Sequence, residues 1–127
     1  MAPNYIAARD NLSATTARIG ALDGEIARLA ANVRERPNDL VAHNEFGAAL
    51  AAQGRVDEAI EQFAEALRID SNQADVHYNL GMMLQRKGRL QDAEASFRAA
   101  LRHNPSHEAA RQAIASLTAH TANDRQR

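Results

Sequence analysis

Gln53-Gly54-Arg55-Val56-Asp57-Glu58-Ala59 and Lys87-Gly88-Arg89-Leu90-Gln91-Asp92-Ala93 carry one pattern at a spacing of 34 residues. The likeness extends on both sides. Upstream, His43-Asn44-Glu45-Phe46-Gly47 stands over His77-Tyr78-Asn79-Leu80-Gly81. Downstream, Phe63-Ala64-Glu65-Ala66-Leu67 stands over Phe97-Arg98-Ala99-Ala100-Leu101. With Ile6 as the first position of a 34-residue frame, the chain divides into 6–39, 40–73 and 74–107, with a remainder at 108–127. Gly20, Gly54 and Gly88 share position 15, Gly47 and Gly81 share position 8, and Pro37 and Pro105 share position 32. Pro3 lies one period before Pro37. A fixed period of this size is the signature of a stacked repeat, in which each unit buries its apolar face against the next.

Each frame reads as two helices. Phe46 and Leu50 are four apart, and Ile60, Phe63 and Leu67 recur at i, i+3 and i+7, whereas nothing alternates with the strand period of two. Gly54 and Gly88 sit where a helix ends in a left-handed residue. Asp57, Glu58 and Asp92 open the second helices and Arg68 and Arg102 close them, an order that complements the helix dipole. Pro37 and Pro105 punctuate the step to the next frame.

These residues resemble the tetratricopeptide repeat family. The resemblance implies an all-α, right-handed α-solenoid of antiparallel helix pairs with a C-terminal closing helix. The family places large residues at positions 4, 7, 11 and 24 and small ones at 8, 20 and 27. Frame two supplies His43, Phe46, Leu50 and Phe63 with Gly47, Ala59 and Ala66. Frame three supplies His77, Leu80, Leu84 and Phe97 with Gly81, Ala93 and Ala100. Histidine at position 4 departs mildly from the usual large apolar residue. Small residues let two helices approach closely, and Gly81 is expected to face Ala93 across the pair.

The ends are less regular. Frame one keeps Leu12, Gly20, Leu29, Val33 and Pro37 but places Glu25 and Asn32 at positions 20 and 27. Burying either without a partner is costly. Two readings follow: a diverged end repeat over 6–39, or a lone helix over 22–35 with 1–19 packed differently. The phase of Pro3 fits a chain that starts at the end of a preceding unit of a longer array. Beyond Ser106, Ala109, Ala110, Ala113, Ile114 and Leu117 form one helical face, so a closing helix is expected over 108–120. The single repeat domain thus spans 1–120, and 121–127 is expected to fray.

Composition narrows the function. Fifteen basic and sixteen acidic residues give a net charge of −1, which does not read as a nucleic-acid binder. No apolar run approaches the roughly 18 residues of a membrane span, and the start shows no secretory signal, so a cytoplasmic location is expected. The chain has no cysteine, which removes disulfides, thiol catalysis and thiolate metal sites. Arg outnumbers Lys fourteen to one and Ala is abundant, a composition suggesting a GC-rich bacterial source. The serines lack a nucleophile-elbow context, and the glycines are periodic punctuation, not a phosphate loop. His43 and His77 fall roughly 10 Å apart on neighbouring repeats, too far to share a metal. Asn104-Pro105 breaks the helix that would pair His103 with His107. No catalytic, cofactor or metal residues are therefore assigned.

The expected function is a non-catalytic protein-interaction module. In the family the first helices line a concave groove, chiefly at positions 2, 5, 6, 9, 12 and 13. Carried onto this chain, the resemblance implies a peptide-binding groove that includes Asn11, Asn44, Tyr78, Asn79, Met82, Gln85 and Gln112. Relatives that hold acidic chaperone tails use Lys, Arg and Asn at positions 2, 5, 6 and 9. Here positions 2 are Ala7, Val41 and Asp75, so that clamp is not expected. Asn11-Leu12-Ser13 and Asn79-Leu80-Gly81 are instead similar to the repeats of O-linked N-acetylglucosamine transferase, whose position-6 asparagines hold peptide backbone. Glu45 interrupts that ladder. Frame two sums to −4 and frame three to +2, a polarity that suits self-association or steering of a partner. The rival readings are a structural or self-assembling segment of a longer repeat protein, or a regulatory module of a larger enzyme.

Overall fold

The computed structural model describes residues 23–125, and among these it is wholly helical. The described part of α1 covers 23–35. It is followed by α2 (Leu40–Ala52), α3 (Val56–Ile69), α4 (Ala74–Arg86), α5 (Leu90–His103) and α6 (Glu108–Arg125). Thus α2 and α3 are the two helices of frame two, and α4 and α5 those of frame three. Each helix packs on its pair mate, and α3 then packs on α4 and α5 on α6. Expectations for the first helix of frame one lie outside the described residues.

The turns explain the periodic glycines. Gly54 and Gly88 adopt φ of +77° and +81°, where any side chain would be strained. The chain folds back as Arg55 N–H donates to the Leu50 carbonyl and Arg89 N–H to the Leu84 carbonyl, both at 2.9 Å. These bonds satisfy carbonyls that the helix end would leave orphaned. Each second helix then opens with an arginine that pairs three residues on: Arg55 with Glu58 at 2.6 Å and Arg89 with Asp92 at 2.8 Å.

Gly47 and Gly81 have a different reason to be glycine. A Cβ on Gly47 would lie 2.7 Å from Phe63 Cε1, and one on Gly81 would lie 2.6 Å from Phe97 Cε1. The small residue at position 8 therefore seats the aromatic ring at position 24. The Phe97 ring thus lies directly against Gly81, a contact that the expected pairing of Gly81 with Ala93 did not include. Phe63, Phe97, Ala59, Ala66, Ala93 and Ala100 are all buried. Burying a Phe ring stabilises by about 1.5–3 kcal/mol, so these two rings anchor their repeats. Leu50, Phe63, Val76 and Met83 centre one core cluster, and Leu84, Phe97 and Leu117 centre the next.

The histidines at position 4 also acquire a reason. His43 Nε2 donates to the Pro37 carbonyl and His77 Nε2 to the Ser71 carbonyl, each at 2.8 Å. Arg111, in the same slot of the closing helix, donates to the Pro105 carbonyl at 3.0 Å. In all three, position 4 of a first helix ties down position 32 of the preceding turn. His43 is buried, and its Nδ1 is paired with the Gln62 side-chain amide at 2.8 Å. Asp39 accepts from Val41 N at 3.0 Å and caps α2.

In α1, Leu29 takes position 24 and is only 3% exposed, while Ile26 packs against the first core cluster. Glu25 is exposed and faces Arg28 at 3.8 Å, so its position-20 carboxylate is not buried. At the other end α6 passes the expected boundary at 120 and runs to Arg125. Its packed face, Ala110, Ala113, Ile114 and Leu117, nucleates the helix. Propagation past it needs no burial, since no Gly or Pro follows Pro105. Thr121 bonds back to the Leu117 carbonyl at 2.9 Å, so the described part of the segment expected to fray is helical.

Candidate functional site

The first helices α2 and α4 lie side by side, and their concave stripes meet at an amide pair. Asn79 Nδ2 donates to Asn44 Oδ1 at 3.3 Å. One bond uses one donor and one acceptor, which among the described residues leaves Asn44 Nδ2 and Asn79 Oδ1 with further hydrogen-bonding capacity. Near the far end of the same helices, Arg86 donates to the Ala51 carbonyl at 3.2 Å.

Two clefts flank α4. One, of about 200 Å³, lies between α2 and α4 and is lined by Ala48, Ala51, Phe63, Asn79, Met82 and Met83. The small residues of α2 open it down to the Phe63 ring. The other, of about 290 Å³, lies between α4 and α6 and is lined by Tyr78, Met82, Gln85, Ala109, Gln112, Ala113 and Ser116. Met82 forms a wall of both.

Six of the seven expected groove residues are thus in two adjoining places: Asn44 and Asn79 at the amide pair, Met82 in both clefts, and Tyr78, Gln85 and Gln112 in the second. Asn11 lies outside the described residues. Tyr78 does more than line a cleft. Its ring is 5.7 Å from that of Phe97 and 5.1 Å from that of His107. It therefore belongs partly to the core that joins α4, α5 and α6.

His107, weighed from the sequence only as a metal partner of His103, is a site-building residue. Its Nδ1 accepts from Ala110 N at 3.2 Å and caps α6, while its Nε2 donates to Asp75 Oδ1 at 2.9 Å. It fixes the closing helix against α4 and supports the Tyr78 ring. The signal was available, because His107 occupies position 34, the capping slot of Asp39. Phe63 was missed as lining because it reads as core, and Met83 was not singled out.

A larger cleft, about 760 Å³, opens at the turn edge between Arg36–Leu40 and Ile69–Gln73. Its carboxylates already serve the fold. Asp39 caps α2, and Asp70 accepts from Asn72 N and Gln73 Nε2, both at 2.9 Å. Those two bonds, the backbone one first, hold the Asp70 carboxyl below its ordinary pKa. His77 and His103 stack with centroids 5.3 Å apart. Among the described residues no group of three or more His, Cys, Asp or Glu is placed to hold a metal ion. No described helix is long and apolar enough to cross a membrane.

The groove carries little charge. Glu45 is exposed on α2 and pairs with no cation among the described residues. The Asp75 side chain is 87% exposed. Arg86 supplies a positive charge at the opposite end of α4.

Two family models match, one described as TPR repeat over residues 47–88 and one as Tetratricopeptide repeat over residues 74–107. No curated protein matches the sequence. Among solved structures, YrrB, described as a TPR protein with an unusual peptide-binding site, is 30% identical with a TM-score of 0.70 over 76% of this chain. This chain spans 50% of the length of YrrB. The first TPR of Spaghetti (RPAP3), bound to HSP90 peptide SRMEEVD, is 14% identical with a TM-score of 0.77, covering 83% of each chain. The Yersinia enterocolitica type III secretion chaperone SycD, in complex with a peptide of the translocator YopD, is 16% identical with a TM-score of 0.75, covering 87% of this chain and 90% of that one. The 34-residue frame, the glycine-seated rings, the stacked helix pairs and the two matching models together place the chain in the tetratricopeptide repeat family.

Proposed function

We propose that the chain is a non-catalytic module that holds a segment of a partner protein in the groove formed by α2, α4 and α6. The observation that carries this reading is the pair of clefts sharing Met82, edged by Asn79, Asn44, Gln85 and Gln112. An apolar floor with a few amides suits a peptide, whose side chains need burial and whose backbone needs a donor and an acceptor. Met adapts its shape to the occupant. The support from relatives is that SycD and the RPAP3 domain were each solved with a bound peptide. Acidic tails such as SRMEEVD are not the expected ligand here, because the position-2 residues on the described helices are Val41 and Asp75.

The test is selection from a displayed library of random ten-residue segments, followed by calorimetry on the winners. An Asn79→Ala, Gln112→Ala double variant is the control, because both residues lie on the groove and neither is a core side chain. Tyr78→Ala is a poorer control, since it also removes the ring packed on Phe97 and His107. Selected segments should lose affinity for the double variant while its melting temperature holds. Segments that bind parent and variant equally would place binding elsewhere.

A further inference from the structure

His107 joins α4 to α6 through two bonds that treat a proton differently. Its Nε2 donates to Asp75 Oδ1 at 2.9 Å, and its Nδ1 accepts from Ala110 N at 3.2 Å. A backbone N–H only donates, so the second bond needs a lone pair on Nδ1 and exists on the neutral ring alone. Ala110 is 0% exposed. Deprived of Nδ1, its N–H reaches water only if the first turn of α6 moves, because a buried donor without a partner is costly. The clasps of the other repeats tolerate a proton. His77 Nε2 already donates to the Ser71 carbonyl, and the Gln62 amide beside His43 Nδ1 can present either oxygen or nitrogen.

The surroundings favour the cation on one side of the ring and oppose it on the other. On α4, Asp75 forms an ion pair with an imidazolium, and the Tyr78 ring, 5.1 Å away, is within cation–π range. On α6, Glu108 is bridged to Arg111 at 3.5 Å, and the positive end of the helix dipole repels a cation. The end of α5 carries Arg102 and His103, and His103 stacks on His77.

We infer that His107 is a proton-operated latch: neutral, it clasps α6 to α4, and protonated, it stays on Asp75 and Tyr78 and releases the first turn of α6. Ala109, Gln112 and Ala113 of α6 line the cleft of about 290 Å³ opposite Tyr78 and Met82, so the proton sets one wall of that cleft. The latch is a property of the fold and holds whether or not the cleft receives a partner segment.

Nuclear magnetic resonance on the full chain tests this between about pH 8 and pH 5, the range over which imidazoles change charge. The ring nitrogen signals of His107 report the proton on Nδ1. Amide protection factors, corrected for the intrinsic pH dependence of exchange, report the first turn of α6. Protection at Ala110 and Arg111 should fall about fivefold as Nδ1 gains its proton, the worth of one N-cap acceptor. Protection at Ala93 and Phe97, buried in α5, should hold. His107→Asn supplies a cap that does not titrate, so its α6 protection should stay level. Asp75→Asn keeps an acceptor for Nε2–H without the charge that holds an imidazolium, so the fall should move to lower pH. A proton on Nδ1 with α6 protection unchanged, or a ring still neutral at about pH 5, would overturn the latch. So would an equal fall in His107→Asn, or a move to higher pH in Asp75→Asn.

Discussion

Frames two and three are nearly interchangeable inside and unlike one another along the groove. Their buried positions match: Phe63 with Phe97, Ala59 with Ala93, Ala66 with Ala100, Leu50 with Leu84. Their concave positions do not. Frame two presents Val41, Asn44, Glu45, Ala48 and Ala51, whereas frame three presents Asp75, Tyr78, Asn79, Met82 and Gln85. An inward residue meets its own repeat, so the same contact requires the same residue each time. A concave residue meets solvent or a partner and is free to differ. The small stripe of α2 beside the larger stripe of α4 is what opens the clefts.

The strongest way to break the equivalence is to remove the rings. Phe63→Ala and Phe97→Ala should each cost about 3–5 kcal/mol in urea unfolding. Phe97 should sit at the upper end, because Tyr78 leans on it at 5.7 Å. A cost below about 1 kcal/mol at either position would mean the two interiors are not alike. Filling the glycine seats comes next. Gly47→Ala and Gly81→Ala each gain up to about 1 kcal/mol of helix propensity. The new methyl meets a buried ring at under 3 Å in both repeats, so a net loss of about 1–3 kcal/mol is expected. A rise in melting temperature would show that the ring does not occupy that space.

The turn clasps should separate the repeats. His43→Leu removes a buried ring together with its bonds to the Pro37 carbonyl and the part-buried Gln62 side chain, and should cost about 1–3 kcal/mol. His77→Leu loses a bond at an exposed turn and should cost about 0.5–1.5 kcal/mol by the same chemical denaturation. Equal losses would contradict the burial difference.

The smallest effect compares Asp70 with Asn104, which share position 31. Asn104 Oδ1 accepts from Ser106 N at 3.1 Å without carrying a charge. Because the folded state lowers the Asp70 pKa, its extra stabilisation is present above the ordinary carboxylate value of about 3.9. It is lost as pH falls through the lower folded value. Stability of the parent relative to Asp70→Asn should therefore shrink on acidification through that window. A gap that widens there would reverse the assignment.

Much of this was legible in the residues. The positive-φ turns follow from Gly54 and Gly88, because few other residues tolerate that backbone. The groove stripe follows from the resemblance, whose concave positions were carried onto the frame, and six of its expected residues lie in the two adjoining places. What escaped was contact between residues distant in the frame. Gly81 was matched to Ala93 by size, and the Phe97 ring that lies directly against it was not foreseen. The end of α6 was set by polarity, although a nucleated helix continues until a breaker stops it.

Local and periodic physics, then, is what the sequence by itself determined about this protein: all-helical units of 34 residues, their glycine turns and the small-against-large packing rule. Only the tertiary structure decided what depends on separations across helices. It set His43 and His77 on the carbonyls of the preceding turns and bound His107 to both Asp75 and the start of α6. It also split the concave face into two clefts at Met82. A hydrogen bond or a cleft is fixed by distances of an ångström or less between groups far apart in the chain, and one-dimensional spacing carries no such measure.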